Sequence, residues 1–283
     1  MNLKIIIFSL FLFLAAKPSF AQKSLNILTF NIRLDVAVDS LNNWQYRKNH
    51  LVSQVLFHET TILGVQEAME NQMQDLQKGL KGYKHVGVPR DSSKWGEYSA
   101  IFYDSARLSL IEQNTFWLSE HIHANGVKGW DAALPRIVTW AKFKDNLTKK
   151  VFYVFNTHFD HMGKIARRES AKLLLKQIEI IAGKLPVITM GDFNAHPSDE
   201  PIQVIEDATN PLHLTDSKSV SATPHYGPTG TFNNFKSAEV SDEPIDYIFI
   251  KNKVRVLKHA TFSQSWNGRF SSDHFPVFAQ VSF

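Results

Sequence analysis

Cysteine is absent from all 283 residues. No disulfide can staple the fold, and no lipid-bearing cysteine of the bacterial lipoprotein kind is available. Gly/Ser-rich and Pro-rich linkers are missing too, as are low-complexity runs and any repeat long enough for a solenoid. One domain held by its own core is therefore expected over 22–283. Net charge is small: the formal value is +4, and two of the cations, Lys4 and Lys17, lie in the N-terminal stretch. The basic residues form no stripe, which argues against a tight nucleic-acid wrapper and still admits a nuclease that binds briefly.

Long apolar runs are scarce, and the most pronounced one lies at the N-terminus. Lys4 precedes Ile5 to Ala16, and Ser19-Phe20-Ala21 follows. A short basic start, a brief apolar segment and small residues before a cleavage point read as a secretory signal peptide over 1–21. The run is too short to span a bilayer as a mature helix. The expectation is export to the periplasm or the medium after cleavage near Ala21, with no stable membrane insertion. An uncleaved anchor is the alternative.

Beyond residue 22 the chain alternates apolar strand-like runs with a few helices. Leu25 to Phe30 reads as a strand ending at Asn31, and Thr61 to Val65 as one ending at Gln66-Glu67. Trp44 to His58 reads as a helix capped by Asn43, with Leu51, Val52, Val55 and Leu56 on one face. Val151 to Thr157 is apolar on both alternating faces, as in a strand buried on both sides. Ala166 to Leu185 carries Ala171, Leu174, Leu175, Ile178, Ile181, Ala182 and Leu185 at three-four spacing, the stripe of a core-facing helix. Pro186 to Met190, Ile245 to Ile250 and Phe275 to Phe283 complete the strands. Stretches 86–98, 119–136 and 215–242 read as loops.

The polar residues sort against these strands. Asn31, Glu67, His158 and Asp192 fall at C-terminal ends, while Asp246 and Asp273-His274 fall at N-terminal starts. If the second group runs antiparallel to the first, all of them share one rim, where loops hold reactive groups on a rigid frame.

Each has a chemical and a structural reading. Glu67 can hold Mg²⁺, which takes one or two carboxylates plus phosphate oxygens, or be a solvated strand-end acid. In Asn156-Thr157-His158, His158 shares a strand face with Asn156 and can serve a phosphoryl or leaving oxygen. Asp160 reads as structural, and His161 as either. Asp192-Phe193-Asn194 pairs an acceptor-only carboxylate, able to orient water or ligate metal, with an amide for a phosphate oxygen; an Asx turn is the alternative. His274 with Asp246 suggests a water-activating dyad, leaving Asp273 for a metal. A Ser-His-Asp hydrolase would use the same pair, but no Gly-x-Ser-x-Gly elbow is present. Arg136 and Arg167 are candidate phosphate binders, Arg167 in a helix first turn where a nearby anion would explain a cation. Trp95, Trp117 and Trp130 can stack on a base or sugar, or be core.

Together these motifs resemble the endonuclease/exonuclease/phosphatase superfamily of metal-dependent phosphoesterases. The residues carrying the likeness are Asn31, Gln66-Glu67, Asn156-Thr157-His158, Gly191-Asp192-Phe193-Asn194, Asp246-Tyr247 and Ser272-Asp273-His274. The resemblance implies a four-layer α/β sandwich: two facing, mainly antiparallel sheets with helices on the outside. It implies Mg²⁺ or Mn²⁺ at Glu67 with Asn31 and Asp273, water prepared by Asp192 and by His274 oriented through Asp246, and charge stabilised by His158 and Asn194. Gly96-Glu97-Tyr98, Phe116-Trp117-Leu118, Gly129-Trp130-Asp131 and Arg136 further resemble an exported Bacteroidetes branch nearer the deadenylases. At Asn31-Ile32-Arg33 the chain departs from the apurinic type, which has an acid two residues after the Asn.

The function expected is an exported hydrolase of phosphate esters, a monomer, with a nuclease on RNA or DNA placed first. Small phosphate esters (sugar or inositol phosphates, phospholipid head groups) follow. A basic groove with exposed aromatics would favour nucleic acid, and a narrow basic pocket a small ester. A non-catalytic binding protein on the same fold is the rival class; it predicts losses among the metal ligands, and the core set is intact.

Overall fold

The computed structural model describes residues 24–93, 96–237 and 240–283. The leader expected at 1–21 and Trp95 lie outside the described residues. In chain order come β1 (Leu25–Asn31), a 3-10 segment (Ala37–Asn42), α1 (Trp44–Phe57), β2 (Ile62–Ala68) and α2 (Glu70–Gly79). Next are β3 (Tyr83–Val86), β4 (Tyr98–Asp104), β5 (Leu108–Trp117), β6 (Ile137–Asp145), β7 (Val151–His158) and α3 (Lys164–Ala182). The chain continues through β8 (Val187–Asp192), α4 (Glu200–Glu206), β9 (Thr215–Asp216), β10 (Asp246–Lys251) and β11 (Arg255–Thr261). A short hairpin, β12 (Ser265–Trp266) and β13 (Arg269–Phe270), precedes β14 (Val277–Ser282).

Two six-stranded sheets result, ordered β11-β14-β1-β2-β4-β3 and β5-β6-β7-β8-β10-β9. Strand alternation divides the apolar residues among three cores. On β1, Leu25 and Ile27 join Phe152, Val154, Ile188 and Ile248 between the sheets, while Leu28 and Phe30 meet Leu51 of α1 and Leu76 of α2. On β7 the opposite set, Tyr153 and Phe155, packs with Leu174 and Ile178 of α3. Helices thus cover both outer faces, giving the four-layer sandwich. Each such buried side chain contributes about 1.5–3 kcal/mol relative to exposure.

Each sheet contains one parallel pair, β1–β2 and β7–β8, flanked by antiparallel neighbours. β14 runs antiparallel to β1, and β10 antiparallel to β8. The two groups of polar strand ends therefore meet on one rim, as the sequence pattern required.

Two helices differ in detail from the reading of their sequence. The core face of α1 is Trp44, Arg47, Leu51, Gln54 and Val55, and Leu56 is 46 % exposed. Polar Arg47 and Gln54 hide that face from a hydrophobicity pattern, because they are buried for hydrogen bonding to the segment before Asp273. Helix α3 begins at Lys164 and stops at Gly183, whose φ of +53° ends the turn, so Leu185 lies beyond it. Among the described residues no helix is long and apolar enough to cross a membrane.

Candidate active site

Asp192 ends β8 at the centre of the rim. Register sets His158 beside it on β7 and Asp246 beside it on β10. A Cβ at Gly191 would fall 2.1 Å from the Thr157 carbonyl oxygen, and φ there is +151°. Only glycine lets the strands approach this closely just before the acid.

The Asp192 carboxylate is shared. Oδ2 accepts from Asn31 Nδ2 at 2.9 Å and lies 3.4 Å from His158 Nε2 and 3.9 Å from His274 Nε2. Oδ1 accepts from the Asn194 backbone N–H at 2.9 Å, so the Asx turn and the site coexist. Burial, then the charge of Asp246, pushes the Asp192 carboxyl up to about 7.

His274 Nδ1 lies 2.9 Å from Asp246 Oδ2. That bond fixes the tautomer and leaves Nε2 facing Asp192. Burial opposes the charged ring, but Asp246, Asp192 and Asp273 outweigh it and hold His274 well above its ordinary range. His158 moves the other way, well below its ordinary range, because of burial and then the cations of Arg136 and Arg90. The Asn194 amide nitrogen donates both to the Phe159 carbonyl and to His158 Nε2, each at 3.0 Å. His158 is thereby assigned as neutral with its proton on Nδ1, and Asn194 steadies it at rest.

The donor set suits a hard cation on the Glu67 side. Glu67 sits at φ +60° with Oε2 accepting from the Leu34 N–H at 3.1 Å and Oε1 from Asn31 Nδ2 at 3.1 Å. Asp273, 6 % exposed, is raised chiefly by burial and further by Glu67. A buried acid and a half-buried one lining the same cavity are a pair that a divalent ion would relieve. Asn31 stands between Glu67 and Asp192 with its amide N–H groups toward both, so in this arrangement it positions the carboxylates. Asp192, Asp246 and His274 also approach within 4.8 Å of one another. A ring committed to Asp246 and favouring its proton is a poor metal ligand.

All of Glu67, His158, Asp192, Asn194, Asp273 and His274 line one cavity of about 550 Å³. Arg136 lines it as well, its Nε 3.3 Å from Asp160 Oδ2 and its Nη2 donating to His161 Nδ1 at 3.0 Å. Asp160 is structural: it accepts the backbone N–H groups of Ala133, Leu134, Met162 and Gly163, and against burial those of Gly163, Ala133 and Met162, with the Arg136 cation, hold its carboxyl down at about 2. Arg167 is not on the cavity wall; its Nη1 donates to the Asp160 carbonyl at 3.0 Å. The anion at that helix start is Asp131, which accepts the N–H groups of Ile165 and Ala166. Trp117 is buried, its indole donating to the Arg90 carbonyl, and Trp130 is half-buried outside the cavity.

The sequence reading gave no role to Arg33, Arg90, Glu97 and Phe232 of the cavity wall. Arg33, two residues past Asn31, lies 3.1 Å from Asp39 and 3.7 Å from Asp273. The same strand-end reasoning that found Asn31 would have reached it. Arg90 and Glu97 form an ion pair on the wall, and Phe232 packs edge-on against His274 at 5.1 Å.

The family profile described as "Endonuclease/Exonuclease/phosphatase family" matches residues 28–274. The chain belongs to this family. Its members are hydrolases of phosphate esters and generally depend on divalent metal. A Bacteroides vulgatus endonuclease/exonuclease/phosphatase structure is 40 % identical, with a TM-score of 0.86 over 92 % of this chain and 99 % of that one. The mannosyl-6-phosphatase of Bacteroides thetaiotaomicron VPI-5482 is 34 % identical, with a TM-score of 0.84 over 92 % of this chain and all of that one (100 %). Among curated proteins, the CCR4-NOT transcription complex subunit 6-like-B of Xenopus laevis is 26 % identical over 144 residues, 47 % of this chain and 25 % of its own length. The chain thus spans about a quarter of the curated relatives it matches.

Proposed function

We propose that this chain is an exported, divalent-metal-dependent phosphatase acting on a small phosphate monoester. The observation that carries the reading is the convergence of Arg33, Arg136 and His161 with the acids on one cavity. A single concave site, in which arginines are interleaved with Asp39, Glu67, Glu97, Asp192 and Asp273, suits one compact phosphate held through a metal ion better than a polymer backbone, which needs a long tract of phosphate contacts. The likeness to a mannosyl-6-phosphatase along the whole of that chain supports the same order. A nuclease on RNA or DNA, first in the sequence reading, becomes the second reading.

Glu67 and Asp273 would hold Mg²⁺ or Mn²⁺, with Asn31 orienting Glu67. When bound, the ion supplies Lewis-acid polarisation of the phosphoryl oxygen and offsets charge on the leaving oxygen. Water attacks phosphorus in line as the P–O ester bond breaks, and its proton passes to the Asp192 and His274 pair. Asp246 stabilises the imidazolium, and Arg136 steadies the phosphoryl oxygens. Asn194 and His158 are placed to take up charge on the same group once their resting bond opens.

A screen of hexose phosphates, inositol phosphates, RNA and DNA with an EDTA control tests this. Turnover of monoesters, lost in EDTA, is expected; turnover of nucleic acid alone would reverse the order. Export rests on the character of residues 1–21, and N-terminal sequencing of protein recovered outside the cytoplasm should begin at Gln22.

A further inference from the structure

Arg90 and Glu97 lie in the loop between β3 and β4, and both line the catalytic cavity. Their side chains meet bidentately: Nη2 is 2.7 Å from Oε1, and Nη1 donates to Oε2 at 2.9 Å. Both are largely buried, with side-chain exposures of 10 % and 12 %. The principal charges acting on them are one another, Asp91, Glu67 and Arg136, whereas His274 is governed by Asp246, Asp192 and Asp273. The pair therefore belongs to the Glu67–Arg136 wall, apart from the groups that handle the water proton.

The loop does not need this pair to close. Arg90 N–H already donates to the Glu97 carbonyl at 2.9 Å, Pro89 bridges to Tyr98, and Trp117 holds the Arg90 carbonyl. A buried ion pair seldom adds net stability over apolar packing. Gly96 leaves no room for a side chain, since a Cβ there would lie 2.6 Å from the Asp91 carbonyl oxygen, and Glu97 follows it on the cavity wall. The pair also keeps hydrogen-bonding capacity in reserve. Each carboxylate oxygen has a second lone pair, and each Arg90 Nη nitrogen has a second N–H, while Arg90 Nε is enclosed without a partner.

Resting on the small-ester reading, we infer that Arg90 and Glu97 form a hydroxyl-reading clamp, and that the substrate is a phosphate monoester whose alcohol part carries further hydroxyl groups. A fixed acceptor beside a fixed donor matches neighbouring hydroxyls on a ring. It discriminates strongly, because a substrate without them leaves buried polar groups unpaired.

The test compares the wild-type protein and Glu97→Gln on hexose 6-phosphates, inositol phosphates, nucleoside 5′-monophosphates and p-nitrophenyl phosphate. The clamp predicts a fall in kcat/KM for the best polyol phosphate at least about tenfold greater than for the aryl ester. Equal losses on both would overturn it and leave the pair a structural tie. A second arm needs no variant: removing single ring hydroxyls from the best substrate should slow the wild-type enzyme about tenfold or more at one position. Uniform rates across the deoxy series overturn the clamp, even should Glu97→Gln fail to fold. If the wild type cleaves nucleic-acid diesters and no monoester, the phosphatase reading itself fails. Which class of polyol phosphate turns over fastest names the natural source.

Discussion

Asp192 and Asp246 are register partners on antiparallel β8 and β10, so a single ladder contact joins the acid that faces His158 and His274 to the acid that holds His274. Neither side chain could be moved one residue along its strand without turning to the other face of the sheet. The placement of the two acids is thus a property of sheet register, and the segment before β14 brings His274 to them.

Asp246→Asn should leave the strand intact and remove the charge that stabilises a protonated His274. We expect kcat to drop about 10²–10⁴-fold with KM little changed. Steady-state kinetics on the best monoester decides it, and a loss under threefold would mean that the dyad is not used.

Arg47 ties the rim together from behind. It donates at 2.8 Å to the carbonyls of both Ile32 and Ser271, and also to those of Arg33 and Asn42, while its cation acts on Asp273. Arg47→Met would strand several buried carbonyls, each at about 1–3 kcal/mol. Denaturant unfolding should show a loss of several kcal/mol. Arg47→Lys, which keeps the charge but not the fork, should recover only part of it. Unchanged stability in both variants would show that the segment before Asp273 is held by other means.

A pair of neutral histidines makes the sandwich acid-sensitive outside the catalytic cavity. His225 and His259 meet Nδ1 to Nδ1 at 2.8 Å, and His225 Nε2 contacts the Pro228 carbonyl at 3.0 Å. His225 therefore donates to Pro228 and accepts from His259. Burial, then His225 and Lys218, pushes His259 down to about 3. The unfolded chain takes its proton near pH 6.5, whereas the native state resists until about pH 3. This contribution is complete above pH 6.5 and is lost as pH falls between those values, at about 1.4 kcal/mol per unit. Asp216, raised to about 6 by burial, has the opposite sign, its native state weakening as pH rises from its ordinary range toward 6. Comparing the wild type with His259→Asn isolates the histidine: thermal melts from pH 7 to 4 should be flatter for the variant, and parallel curves would exclude the pair.

How far the sequence could be read follows from what each residue depends on. Asn31, Glu67, His158, Asp192, Asp246 and His274 were legible because strand ends in a layered sandwich share a rim, and polarity at the end of a buried run is visible in one dimension. β5 was not legible, since most of its residues are exposed at a sheet edge and it lacks an apolar face. The face of α1 was misjudged because Arg47 and Gln54 are polar residues doing a core residue's packing. Arg90 and Glu97 lie seven positions apart and become partners only once the Pro89–Tyr98 bridge folds their loop back. Arg167 looked like an anion binder until Asp131, distant in sequence, supplied the anion.

The central claim is that Glu67 and Asp273, brought together from β2 and from the segment before β14, hold one hard cation. Isothermal titration of the metal-free protein with Mn²⁺ measures this without any substrate. The account predicts a single site per chain whose affinity falls about tenfold or more in Glu67→Gln and again in Asp273→Asn, while His259→Asn binds as the wild type does. Undiminished binding in both acid variants would contradict it.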